Sequence, residues 1–104
     1  MSAMMTMPTA AQFREQMETS FEVTHPSGKI PLRLAGVSEE RVAGGFVFFS
    51  VFFHGPSDRL LPQATHTMQH PVFGSLDLFI VPVLGSNHER TVYEAAFSRA
   101  VEKR

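Results

Sequence analysis

Cysteine and tryptophan are both absent from this chain of 104 residues. Without cysteine there is no disulfide, no thiolate nucleophile and no zinc–thiolate site. Charge is also scarce, because charged residues make up 18 % of the chain and the net charge is −1 with the histidines neutral. A field this weak argues against nucleic acid or an anionic membrane surface as a partner. No apolar run approaches the ~18 residues of a membrane span.

The start of the chain has neither the basic region nor the long apolar segment that mark a signal peptide, so we expect a cytoplasmic protein. A chain of 104 residues is long enough for one domain with one core. We predict a flexible N-terminus over residues 1–7, a single β-barrel-like domain over residues 8–98 and a flexible C-terminal tail over residues 99–104.

Phenylalanine dominates the aromatic residues, with ten copies against one tyrosine. It supplies apolar area without a polar group, which is typical of a filled core. Apolar and polar residues alternate in short segments separated by glycine and proline, a pattern that predicts a mainly β fold. We expect a small antiparallel β-barrel or sandwich of about six strands, with Thr9 capping a short N-terminal helix over residues 10–18. The predicted strands are residues 20–25, 30–35, 46–54, 65–70, 76–82 and 89–97.

Residues 46–53, F-V-F-F-S-V-F-F, are apolar on both faces of a strand. One face carries Phe46, Phe48, Ser50 and Phe52, and the other carries Val47, Phe49, Val51 and Phe53. A strand of this kind is typically central and covered on both sides. The alternation leaves open which face fills the core. We name the second set, Val47, Phe49, Val51 and Phe53, as candidates for an apolar interface with another chain.

Four stretches carry a resemblance to a known family. They are F-S-V-F-F-H-G-P (49–56), L-P-Q-A-T-H-T-M-Q-H-P-V-F-G (61–74), L-D-L-F-I-V-P-V (76–83) and Y-E-A-A-F (93–97). Together they resemble a family of small bacterial domains of unknown function, with the pattern F-S-L-x-F-x-G-P, L-P-Q-x-T-Y-x-L-x-H-P, L-F-L-V-P-V and Y-E-A-x-F-N. His66 stands where that pattern has tyrosine, and Ser98 stands where it has asparagine. The resemblance implies a bacterial source and a place in a phage-tail-like assembly.

The histidines are the first candidates for chemistry. His66 and His70 share a strand face, but at ~3.4 Å per residue they lie about 13–14 Å apart, too far to bind one metal ion together. A metal site would need His54, His88 or Glu94 brought in by folding. The structural interpretation is that His70 caps the H-P-V-F-G turn through a ring nitrogen, while His66 replaces a tyrosine at the sheet surface.

His54 and Gln63 lie at the two ends of the loop that follows residue 54. His54 precedes Gly55 and Pro56, and Gln63 follows Pro62. A catalytic group of His54 with Ser50, Asp58 or Asp77 is disfavoured, because there is no G-x-S-x-G elbow and Ser50 lies inside an apolar strand. Glycine and proline after His54 are explained by the end of the strand. Gln63 either pins its loop by bonding backbone groups or contacts a partner.

Two functions remain open. The preferred one is a non-enzymatic structural or protein-interaction module that forms a homo-oligomer or binds another protein, because monomers rarely expose large apolar patches. Its partner-binding or loop-pinning residues are Gln63, His54, His66 and His70. The alternative is a small metal-binding protein or enzyme using a histidine cluster. For the preferred function we expect no cofactor, no metal, no nucleic acid and no membrane partner.

Overall fold

The computed structural model describes residues 8–26, 28–83 and 90–100. Within them the chain forms one short helix, α1 (Ala10–Glu15), and seven strands. The strands are β1 (Ser20–His25), β2 (Gly28–Val37), β3 (Arg41–Ala43), β4 (Phe46–Pro56), β5 (Ala64–His70), β6 (Gly74–Val83) and β7 (Arg90–Ala100). All of the predicted strands are therefore present in the described residues, and β3 is an addition.

Six strands close into an antiparallel barrel. The hydrogen-bonded order is β2–β1–β5–β6–β7–β4–β3, and a further pairing of β2 with β4 closes the ring and leaves β3 outside it. This confirms the predicted mainly β fold and selects the barrel over the sandwich. Closure gives each of the six strands two neighbours, which leaves less free edge for unwanted pairing.

β4 is an 11-residue strand of the barrel wall, as long as β7. It pairs with β7 over its whole length, from Phe46 opposite Ala100 to Pro56 opposite Arg90. Its other edge is shared, because β3 pairs with residues 46–48 and β2 pairs with residues 51–54. The apolar segment at residues 46–53 is thus paired on both edges, as expected of a central strand, but its outer face is not covered, because Phe46 and Phe48 are exposed.

The inward face of β4 is the set proposed above as an apolar interface. Val47, Phe49, Val51 and Phe53 are all buried in the interior. Phe49 packs against Phe13 of α1, with ring centroids 6.2 Å apart, and Phe53 packs against Phe21 of β1 at 5.3 Å. The interface prediction for these four residues is therefore wrong, because barrel closure turns them toward β1 and the helix.

The helix closes one end of the barrel. Thr9 caps it as predicted: its hydroxyl accepts the amide of Gln12, and the Gln12 side chain accepts the amide of Thr9. Phe13 is fully buried and reaches into the barrel. The helix ends at Glu15, three residues earlier than predicted, and the chain turns through Glu18, which has a positive φ of 71°.

Other differences from the sequence prediction concern boundaries. β3 forms inside residues 36–45, between two of the predicted strands. β7 continues to Ala100, past the expected domain boundary at residue 98. The predicted flexible residues 1–7 lie outside the described residues, as do residues 101–104 of the predicted flexible tail.

Candidate functional site

An apolar arm leaves the wall of the barrel. It consists of β3, residues 46–48 of β4 and residues 98–100 of β7, which in the described chain pair only with one another. Val42 is 70 % exposed, Phe46 46 % and Phe48 38 %. The two phenylalanine rings lie together, with centroids 6.2 Å apart. Val42 lies opposite Val47 in the register and therefore on the other face, so the arm exposes apolar side chains on both faces.

A groove of about 520 Å³ runs from the arm along the outer face of β4 and β7. Its lining includes Phe48 and Phe52 together with Arg41 and Glu94. The Ser50 hydroxyl donates to Glu94 Oε2 at 2.7 Å, so the carboxylate is held against the groove floor. The groove thus combines aromatic rings with both acidic and basic side chains.

The rim of this groove is fixed by Ser38. Its amide donates to the Ser50 carbonyl at 2.8 Å, and its hydroxyl accepts the Ser50 amide at 2.8 Å. The Ser38 carbonyl accepts Nη2 of Arg14 from the helix at 2.7 Å. These bonds anchor the segment between β2 and β3 to β4 and to the helix.

His54 lies on the outer face of β4 beside two arginines. It is half-buried, and its Nδ1 lies 3.0 Å from Nη2 of Arg33, the residue opposite it on β2. Arginine can only donate, so Nδ1 accepts and the neutral ring carries its proton on Nε2. Burial lowers the pKa of His54, and the guanidinium groups of Arg90 and Arg33 lower it further against an opposing effect of Glu18. His54 is therefore neutral near pH 7.

His70 performs the turn-capping role predicted for it. Its Nδ1 accepts the amides of Val72 at 3.1 Å and Phe73 at 3.4 Å. The proton is therefore on Nε2, which donates to the Thr19 hydroxyl at 2.8 Å, and that hydroxyl donates to the Gln16 carbonyl at 2.6 Å. The ring is buried, and burial lowers its pKa. His70 thus joins the turn after β5 to the turn after α1.

The other two predicted residues occupy the loop before β5. His66 is half-buried, and its Nε2 lies 2.9 Å from the Pro62 carbonyl, so the ring holds the loop in place. Gln63 is exposed. The buried anchor of this loop is Leu61, whose amide donates to the Tyr93 hydroxyl at 2.9 Å.

The histidines predicted to form the alternative cluster lie at separate places. His54 lies on the outer face of β4, His66 at the start of β5 and His70 at its end, and β4 and β5 are not neighbours in the sheet. Among residues 8–26, 28–83 and 90–100, no three side chains of His, Asp or Glu lie close enough to hold a metal ion. The Glu94 carboxylate bonds Ser50, and His88 lies outside the described residues.

Arg33 is a site residue that the pattern did not single out. Alternation places it on the outer face of β2, but its contact with His54 joins residues 21 positions apart. That contact exists only because β2 pairs with β4 to close the barrel, a pairing between strands that are not consecutive. In the sequence, the signal for Arg33 was a single basic residue at a position that alternation places on the outer face of its strand.

Comparison with known proteins adds a family. A family model described as Domain of unknown function (DUF6916) matches residues 8–97. No curated protein and no solved structure matches the chain. Across the part of the chain that the structure describes, no helix has the length and apolar character to cross a membrane.

Proposed function

The chain belongs to the family described as Domain of unknown function (DUF6916), and we propose that it is a non-enzymatic protein-interaction module that associates with a second copy of itself. The observation that carries this proposal is the apolar arm. Val42, Phe46 and Phe48 are exposed on two faces of a strand pair that projects from a closed barrel.

Exposed apolar area is the first support. Single exposed hydrophobic residues are ordinary on a protein surface, but Phe46 and Phe48 lie together as an apolar patch on one face of the arm, and Val42 is exposed on the other face. The groove beside them extends this patch to Phe52. Aromatic side chains in a partly open groove are the usual anchors of an interface core.

The edge of β3 is the second support. Within the described residues β3 pairs with β4 on one side and with no strand on the other, so its outer backbone groups can pair with another strand. A second copy offers the same edge, and antiparallel pairing of two identical edges about a two-fold axis gives a closed dimer.

Charge favours a second copy over an acidic or basic partner. Glu39 and Glu40 directly precede Arg41, so antiparallel pairing can place a carboxylate of one copy opposite the arginine of the other, twice by symmetry. The net charge of −1 adds almost no repulsion between copies.

Sedimentation analysis over a range of concentrations tests the proposal. We expect the wild-type chain to dimerise and Val42→Asp to be monomeric, because the charge would be buried in the paired edge. Val72→Asp is the matched control, since Val72 is 63 % exposed but lies in the turn after β5, away from β3. In the wild type, amide exchange at residues 41–43 should slow as concentration rises.

A wild-type chain that stays monomeric at high concentration would contradict self-association. Equal loss of the dimer in Val42→Asp and Val72→Asp would contradict the assignment to the arm. The phage-tail-like assembly in the bacterial cytoplasm, implied by the family resemblance, stays a prediction. Crosslinking in the native cell followed by identification of neighbouring proteins tests it.

A further inference from the structure

A row of polar side chains crosses the outer face of the barrel at the end away from the arm. In the strand register Ser20 lies opposite Arg33, Arg33 opposite His54, and His54 opposite Val92. Arg90 is two residues from Val92 on β7, on the same face and diagonal to His54. Neighbouring strands are ~4.8 Å apart, so these side chains converge on one small area.

The row presents hydrogen-bond donors and positive charge. The neutral His54 ring uses Nδ1 to accept from Arg33, which leaves its Nε2–H as a donor. Arg33 also pairs with the Glu18 carboxylate. Among the described residues, the guanidinium groups of Arg33 and Arg90 and the carboxylate of Glu18 act on the pKa of His54.

The row also lines a groove of about 480 Å³. Its other lining residues are Pro31, Gly55 and Pro56, which give it a rim with few rotatable side chains. A groove of this size is large enough for a small ligand. Because guanidinium groups repel metal cations and can only donate hydrogen bonds, the groove suits an anion.

We propose that Arg33, His54 and Arg90 form a binding site for a phosphate group, either free or on a small phosphomonoester. Planar guanidinium groups bind phosphate oxygens through paired hydrogen bonds, and the imidazole Nε2–H supplies a further donor. A phosphate group presents more acceptor oxygens to these donors than a carboxylate does. The proposal is independent of self-association through the arm.

The test is an NMR titration of the full chain near neutral pH, following the His54 ring and the Arg33 side chain. Inorganic phosphate, glycerol phosphate and acetate are added separately, with sodium chloride holding the ionic strength constant. We expect saturable shifts with phosphate and much weaker binding of acetate. Bound phosphate should also raise the pKa of His54, because its negative charge stabilises the imidazolium form. The carboxylate of Glu18 acts in the same direction.

Two variants separate the site from general surface charge. Arg33→Gln should weaken phosphate binding by about tenfold or more, the effect of losing one charge-assisted contact. Lys29→Gln removes the same charge from an exposed side chain of the neighbouring β1–β2 hairpin and should leave binding unchanged. Arg90→Gln should act like Arg33→Gln.

The sources of phosphate are distinguished by the two probes. Tighter binding of glycerol phosphate assigns the site to phosphomonoesters, and equal or tighter binding of inorganic phosphate assigns it to the free ion. Shifts that do not saturate, acetate binding as tight as phosphate binding, or equal weakening in Lys29→Gln would each overturn the proposal.

Discussion

Replacing Tyr93 by phenylalanine isolates one buried hydrogen bond. Tyr93 is fully buried on β7, and its hydroxyl accepts the amide of Leu61 in the loop between β4 and β5. Phenylalanine keeps the ring and its packing but removes the acceptor. The Leu61 amide would then remain buried beside an apolar ring edge without a partner.

The expected loss follows from that unpaired amide. Leaving a buried donor unsatisfied costs roughly 1–3 kcal/mol. A domain of this size has a total stability of only about 5–15 kcal/mol, so the loss is a large share. With a urea m-value of about 2 kcal/mol per M, a loss of about 2 kcal/mol lowers the midpoint by roughly 1 M.

Urea denaturation with amide exchange at Leu61 is the assay. We expect a lower midpoint with an unchanged m-value, and faster exchange of the Leu61 amide than of the β4 amides. Thr67→Val is the control, because it removes an exposed hydroxyl bond to Asp77 and should change stability by less than about 0.5 kcal/mol. A Tyr93→Phe loss as small as that of the control would refute the reasoning, since the amide would then have found another acceptor.

Two further predictions concern packing and pH. Gly55→Ala should destabilise the domain by about 1–3 kcal/mol in the same urea assay, because a Cβ there would lie 2.6 Å from Leu32 Cδ2 and 3.0 Å from Tyr93 Cε2. A urea midpoint equal to that of the wild type would contradict this, since it would show that the site has room for a methyl group. Burial lowers the pKa of His70 below the 6.5 expected in the unfolded chain, so the unfolded state takes up a proton first on acidification. The free energy of unfolding should therefore stay constant above about pH 6.5 and decrease as pH falls toward the folded-state pKa. The decrease should be smaller in His70→Gln. Equal slopes of unfolding free energy against pH in the two proteins would contradict this.

Local chemistry was predictable from the sequence. The role of His70 depends on amides two and three residues further along, so the H-P-V-F-G turn carries its own signal. The cap of α1 is equally local, because Thr9 and Gln12 are three residues apart. In both cases the donor and the acceptor lie within one turn of the chain.

Relations between distant strands were not predictable in the same way. Alternation divided β4 into two apolar faces, but the inner face is decided by what packs on it, namely Phe13 and Phe21 from the start of the chain. The Arg33–His54 contact likewise depends on barrel closure. β3 is three residues long in a charged connector, too short to show a periodicity of its own.

The end of the barrel is closed by a helix that cannot exist without it. α1 has six residues, far below the ~12 at which an isolated helix becomes stable, so docking of Phe13 must supply its stability. The socket is made by the rings of Phe21, Phe49, Phe73 and Phe97, which are spread along the chain. The helix precedes all four rings in the chain, and Phe97 is the last of the four to be synthesised. We therefore expect α1, although it is made before the strands that hold it, to be among the last elements to fold.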